Sequence, residues 1–192
     1  PCGHEADSVR IPGGVVYPGT LPLHWLSGFA GEVSMTIDAA GEKAAFIFAV
    51  PRTGTIDRVG FRTRGVTTSQ TLRVGLETVS ATDGFPTTTQ YGGSAVGTQA
   101  SPAADTFYEV TLATPATATI GDQISVVIQF DSTAGSLVIC GYDTMNSLAM
   151  AGLPYAALYT TSWAKQTNNI PACSIRYSDG AYDLVSFAPF RN

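Results

Sequence analysis

The sequence predicts an all-β protein built as an antiparallel β-sandwich or barrel. Short segments rich in β-branched and aromatic residues recur along the chain. Turns that contain Gly, Pro or Asp separate them about every 8 to 15 residues. Several segments alternate polar and apolar residues, which is the period of a half-buried strand. No window has the 3.6-residue period of an amphipathic helix. The spacing predicts roughly eight to ten strands in one domain over residues 31–192.

Composition narrows the class of protein further. The chain has 192 residues, of which 44% are hydrophobic and only 13% are charged. The apolar content is too high for disorder, and a coiled coil needs far more Glu, Lys and Arg. A net charge of −5 without a basic run argues against a nucleic-acid partner. The longest apolar run, residues 44–50, has the length of a strand, so no membrane insertion is expected.

Residues 1–30 differ from the rest and predict an extended N-terminal arm. Prolines and glycines recur through this segment and block both helix and central strand. The arm is nevertheless too apolar for a solvated linker, so it is expected to pack on its own domain or on a neighbouring subunit. The candidate interface residues are Tyr17, Leu21, Leu23, Trp25 and Phe29. Pro is the first residue either because an initiator Met is removed or because a longer segment is cleaved. Removal of Met is the expectation, and it implies synthesis in the cytoplasm without a secretion signal.

The individual strands follow from local patterns. They are predicted at residues 32–38, 43–50, 55–63, 71–79, 107–112, 123–131, 136–141, 155–160, 173–177 and 184–187. The second strand is apolar throughout and ends before Pro51. In the third, the alternation of polar and apolar residues is interrupted at Asp57-Arg58, which predicts a β-bulge. Residues 80–106 are expected to form a long connection with a short strand near Tyr91. Ser178-Asp179-Gly180 predicts a hairpin turn before the last strand. A helical turn is conceivable only at residues 147–153.

The order of turns and core strands resembles a group of jelly-roll domains. The resemblance rests on Val50-Pro51, Gly54-Thr55-Ile56, Leu72–Glu77, Asp83–Pro86, Tyr108–Leu112 and Ile120–Gln123. Such domains occur in surface-anchored bacterial proteins and in virion or tail-associated proteins of tailed phages, and they are similar in architecture to carbohydrate-binding modules. The resemblance covers residues 43–140 and extends loosely to residue 187. It implies a jelly-roll sandwich and brings no active-site residue with it.

Catalytic chemistry finds little support in the sequence. The chain's two histidines, His4 and His24, both lie in the arm, and no Gly-x-Ser-x-Gly motif is present. Glu77 and Glu109 lie inside strands at positions that are expected to face outward. A facing pair of carboxylates, as a glycosidase requires, stays open from the sequence alone. The expectation is a protein that is not an enzyme and needs no cofactor.

Metal and thiol chemistry are also sparsely represented. Asp179 and Asp183 are the best oxygen ligands for a cation, although a plain hairpin turn explains them more simply. Cys140 and Cys173 lie in strand-like runs and are expected to be either buried free thiols or a pair across adjacent strands.

Aromatic residues are the most suggestive feature for ligand binding. Sugar rings stack their apolar faces on exposed Trp and Tyr. The candidate ligand-binding residues are Trp163, Tyr159, Tyr91 and Tyr182. Trp163 and Tyr91 are placed in polar loops, where their rings are expected to be partly exposed. The alternative is that these rings cover the ends of the sandwich or fill a subunit interface.

The expected function is that of a non-enzymatic structural component of a phage particle: a decoration, spike or tail-associated protein that contacts host-surface glycans. It would be made in the host cytoplasm, dock on other virion proteins through its arm and form a homo-oligomer, by analogy a trimer. The alternative is a carbohydrate-binding module of a secreted or cell-surface protein, which would be extracellular.

Overall fold

The computed structural model describes residues 32–67, 70–131, 135–143, 155–166, 169–171 and 173–184. In chain order the strands are β1 (Glu32–Ile37), β2 (Lys43–Ala49), β3 (Gly54–Val66), β4 (Thr71–Val79), β5 (Pro86–Gln90), β6 (Gly97–Ala100), β7 (Phe107–Ala118), β8 (Gln123–Phe130), β9 (Leu137–Asp143), β10 (Tyr155–Tyr159), β11 (Trp163–Gln166), β12 (Asn169–Pro171), β13 (Cys173–Tyr177) and β14 (Tyr182–Leu184). The N-terminal arm with its five interface candidates, and the helical turn considered at residues 147–153, lie outside the described residues.

The strands form two antiparallel sheets, which confirms the predicted all-β sandwich. Sheet one has the order β1-β9-β3-β13-β14, with β7 also paired to β3 and β12 to β9. Sheet two has the order β11-β10-β2-β8-β4-β5, with β6 also paired to β4. The predicted bulge is present, because the register of β3 against β7 shifts between Ile56 and Arg58.

The main core lies between the sheets. Alternate residues of β1–β4, β7–β9 and β13 point into it, among them Phe46, Phe61, Leu76 and Phe130, all essentially inaccessible to solvent. Their burial removes apolar surface from water, which is the principal source of stability in such a domain. Cys173 also lies in this core, as expected for a buried thiol, and burial raises its pKa far above the usual value.

Strand β2 explains why residues 43–50 are apolar without interruption. Ala44, Phe46 and Phe48 face the main core, whereas Ala45 and Ile47 face the opposite side of sheet two and are buried there as well. A strand that is covered on both faces has no solvent side to carry polar residues. The outer face of sheet two therefore has a cover of its own.

The described residues contain fourteen strands, more than the eight to ten predicted. In residues 80–106 the short strand expected near Tyr91 is β5, which ends at Gln90, and β6 was not predicted. Tyr91 itself begins a short 3₁₀ turn. Strand β7 runs to Ala118, well beyond residue 112. Of the last predicted strand, residues 184–187, only Leu184 belongs to β14 and the rest lies outside the described residues. Thr- and Gly-rich strands carry a weak apolar pattern, so composition alone assigned them to loops.

The two sheets meet along one edge. Ala95 and Thr114 form an isolated antiparallel bridge that joins the segment before β6 to β7. Next to it, Gly97 packs so closely on the backbone of Thr111 that no side chain fits there.

Within the described ranges, no helix is long and apolar enough to cross a lipid bilayer.

Candidate functional site

A second, smaller apolar cluster occupies the outer face of sheet two. Ala45, Ile47, Val127 and Ala157, from the three central strands β2, β8 and β10, are all buried. Four partly buried side chains pack over them: Val79, Phe85, Tyr155 and Trp163. Three of these four are aromatic, so the surface that this face presents to its surroundings is rich in rings.

Four rings lie on this side of sheet two and are here called the aromatic face: Phe85, Tyr155, Tyr159 and Trp163. Trp163 stacks against Phe85 with 13° between the ring planes and 6.3 Å between centroids. Tyr159 meets the same indole edge-on, with 5.3 Å between centroids and an angle of 60°. Both arrangements are ones that aromatic pairs prefer. The indole is therefore held in place from two sides while staying only partly buried.

The hairpin between β10 and β11 creates the Tyr159–Trp163 contact. Thr160 to Ser162 turn the chain, and Tyr159 then pairs directly with Trp163 across the two strands. The prediction that Trp163 lies in a loop is wrong, because it is the first residue of β11. Its partial exposure, however, agrees with the expectation. Among the described strands, β11 is the edge of sheet two, and its residues have a neighbouring strand there on one side only.

Tyr155 fixes the turn that carries Phe85. Its hydroxyl donates a hydrogen bond to the carbonyl oxygen of Gly84. The ammonium of Lys165 lies 4.3 Å from the centroid of the Tyr155 ring, within cation–π range. Burial and the nearby Asp83 charge raise the pKa of Tyr155. The phenol is therefore neutral at physiological pH, as a hydrogen-bond donor must be.

A buried ion pair adjoins the aromatic face. Lys43 Nζ lies 3.9 Å from Glu77 Oε1, and the side chains are only 15% and 7% exposed. Glu77 Oε2 accepts a hydrogen bond of 2.9 Å from the backbone N–H of Thr88 in β5. Glu77 points away from the main core as predicted, but the expectation that it faces solvent is wrong. Burial raises the pKa of its carboxyl, opposed by the Lys43 charge and the Thr88 bond.

Glu77 therefore serves the fold. One of its oxygens faces Lys43 and the other binds the Thr88 N–H, so both are already engaged. Thr88 itself has a positive φ of 69°, a conformation that residues other than glycine seldom adopt. The carboxylate stabilises that backbone and ties β5 to β4.

Tyr91 does not belong to the aromatic face. Its side chain is 8% exposed, and its hydroxyl donates a 2.6 Å hydrogen bond to Asp122 Oδ2. The hydroxyl oxygen of Tyr91 also accepts a bond of 3.1 Å from the N–H of Thr119. The expectation of an exposed ring at this position is wrong, because a buried ring offers no face to a ligand. Tyr91 instead joins its 3₁₀ turn to the bend before β8.

The hairpin candidates for a cation have another explanation. Asp179 forms a two-pronged ion pair with Arg52, each N–O distance being 2.9 Å, and also accepts from the Ala181 N–H. The guanidinium bonds lower the pKa of Asp179 to about 2. Asp179 therefore closes a hairpin turn, the simpler of the two predicted roles. The side chains of Tyr182 and Asp183 lie outside the described residues.

Sequence reasoning located Trp163 and Tyr159, which the structure brings together, and missed Phe85 and Tyr155. The uninterrupted apolar run of β2 was the available signal, since it required a cover on both faces of the sheet.

Comparison of the chain with protein-family models, curated proteins and solved structures gives no match. In the part of the chain that the structure describes, no three His, Cys, Asp or Glu side chains are grouped as metal ligands.

Proposed function

We propose that this chain is a non-enzymatic structural component of a phage particle and that it contacts a host-surface glycan through the aromatic face. The observation that carries the glycan contact is the partly exposed indole of Trp163, held between Phe85 and Tyr159. A sugar ring binds such an indole by laying its C–H face on the ring. An indole fixed in advance loses little conformational entropy when the sugar binds.

Two features of the sequence support the virion role. The strand and turn order resembles jelly-roll domains of tail-associated proteins. The Pro- and Gly-rich arm carries Trp25 and Phe29, which are suited to docking on another virion protein or on a second copy of the chain. A jelly-roll connectivity of the two sheets is part of this proposal.

The glycan contact is tested by binding to a panel of immobilised bacterial surface polysaccharides. We expect Trp163→Ala to lose at least tenfold in affinity for whichever glycan the unaltered protein retains. Trp163→Leu keeps apolar cover over Ala45 and Ile47 but lacks a ring face, so it should show the same loss with a smaller effect on folding. The matched control is Ile120→Ala, which removes an apolar side chain that is 63% exposed elsewhere.

The outcome separates stacking from general adhesion. Loss in both Trp163 variants with binding retained in Ile120→Ala supports the aromatic face. Equal binding of all four proteins, or equal loss in the Ile120 control, contradicts it.

The virion role is tested separately by mass spectrometry of purified phage particles from the source material. Peptides of this chain at a copy number near that of the major coat protein would indicate a decoration protein, and a few copies a tail or spike protein. Absence from particles contradicts the virion role. The same aromatic face then supports the second candidate, a carbohydrate-binding module of a secreted or cell-surface protein.

A further inference from the structure

Arginine is concentrated on the outer face of sheet one. Three arginines of β3 alternate along the strand and point away from the main core, whereas Val59 and Phe61 point into it. A fourth, on β13, pairs directly with the first. These four residues, here called the arginine face, are Arg58, Arg62, Arg64 and Arg176. They make up four of the ten Lys and Arg residues in a chain whose net charge is −5.

An aromatic ring lies in the middle of this face. Gly60 separates Arg58 from Arg62 on β3, and a Cβ added to it would come 2.5 Å from Cζ of Phe107. The absence of a side chain at Gly60 thus lets the partly buried Phe107 ring lean across β3 between two guanidinium-bearing positions. The hydroxyl of Ser174 reaches the same point from β13.

Three of the arginines on this face each lie near a carboxylate. The pairs Arg58–Glu109, Arg62–Asp105 and Arg176–Asp57 all have N–O distances of 3.9 Å. Among the described residues, Nε of Arg58 and Oδ1 of Asp57 are buried without a hydrogen-bond partner.

A guanidinium has five N–H donors in a planar fork that matches carboxylate, sulfate and phosphate groups. Residues two apart on a strand project from the same side about 6.6 Å apart. The β3 arginines, of which Arg58 and Arg62 are four residues apart, therefore offer a row of anion-binding groups along the strand. A linear polymer with regularly repeating acidic groups fits such a row.

We propose that the arginine face binds an acidic polysaccharide, a glycan chain that carries carboxylate or sulfate groups. The guanidinium groups would bind the acidic groups, and the Phe107 ring would stack on a sugar between them. Duplex DNA is less suited, because its charges, about one per 1.7 Å of helix axis, lie much closer together than arginines two or four residues apart on a strand. The site lies on the opposite layer from the aromatic face and does not depend on that proposal.

The test measures binding of the full chain to immobilised dextran sulfate and to polygalacturonate, with neutral dextran as the reference. We expect binding to at least one acidic polymer at low salt, weakening as salt rises, and none to neutral dextran. The double variant Arg58→Gln/Arg62→Gln should bind at least tenfold more weakly. The matched control is Arg73→Gln, since Arg73 is a half-exposed arginine of sheet two paired with Asp131 at 3.6 Å.

Selective loss in the double variant, with Arg73→Gln unchanged, supports the proposal. A folded double variant, checked by thermal unfolding, that binds like the unaltered protein contradicts it. So does a failure to bind either acidic polymer, or an equal loss in Arg73→Gln. Duplex DNA is added as a competitor at the same concentration as the acidic polymer. If the DNA displaces the polymer, the face binds polyanions in general, and the polysaccharide assignment is wrong.

Discussion

Trp163 and Phe85 lie nearly parallel, although one begins the edge strand β11 and the other belongs to the turn between β4 and β5. Strands β10, β2 and β8 separate these elements in sheet two. The contact therefore spans the outer face of the sheet and buries the small residues Ala45 and Val127 beneath it. The edge strand and the β4–β5 turn stabilise each other through their side chains, without sharing a backbone ladder.

This relationship predicts the effect of Phe85→Ala. We expect the free energy of unfolding to fall by about 2 kcal/mol, less than for a fully buried Phe, because the ring is only partly buried. Glycan affinity should also fall several-fold if the indole needs this support. Chemical denaturation and the polysaccharide panel measure the two effects. Unchanged stability would mean that the ring stacking contributes nothing to the fold.

Tyr91→Phe should destabilise the protein although the ring stays in place. The variant removes the hydroxyl that donates to Asp122 and accepts from the Thr119 N–H. We expect a loss of about 1 to 2 kcal/mol in the free energy of unfolding. The control is Tyr108→Phe, whose hydroxyl accepts one bond from the Ala103 N–H in an exposed setting and should matter less. A larger effect at Tyr108 would refute the structural role given to Tyr91.

Glu77→Gln should change how stability depends on pH. Burial raises the folded-state pKa of Glu77 above its ordinary value of 4.5. The folded state thus binds this proton more tightly than the unfolded state does, so the contribution of the group is fully present below pH 4.5. It declines as pH rises through the raised pKa. The stability of Glu77→Gln relative to the unaltered protein should therefore increase with pH across this window.

Urea denaturation of both proteins at pH values from about 4 to 8 gives the free energy of unfolding at each pH and tests this expectation. Glutamine can still accept the Thr88 N–H bond, so the comparison isolates the charge. A difference that does not vary with pH, or that shrinks as pH rises, would show that Lys43 more than offsets the burial of the carboxylate.

Gly97→Ala should be destabilising because the two sheets approach closely there. The new methyl group would meet the backbone oxygen of Thr111 and come 2.7 Å from Cγ1 of Val110. Backbone atoms yield less readily than side chains, so we expect a cost of about 1 to 3 kcal/mol. In the control, Gly65→Ala, the methyl group would lie 3.4 Å from Cγ2 of Val138 and should be tolerated. Thermal unfolding of both variants gives the comparison.

Much of the fold follows from the sequence because a strand's period depends only on neighbouring residues. The alternation through Leu72, Val74 and Leu76 predicts β4 with its inward face, and all three side chains are buried in the main core. The slip at Asp57-Arg58 predicts the bulge in β3 because two consecutive polar residues cannot both keep the period. Such local signals survive whatever the rest of the chain does.

The candidate sites depended on which strands become neighbours, and no local pattern encodes that choice. Glu77 and Tyr91 occur in segments that look polar, yet β5 covers the first and Asp122 holds the second. Trp163 meets Phe85, and Arg58 meets Arg176, only because sheet pairing brings distant segments together. The sequence by itself determined the main core strands and their inward faces. Only the tertiary structure decided which outward faces are covered, because that depends on contacts between residues far apart in the chain.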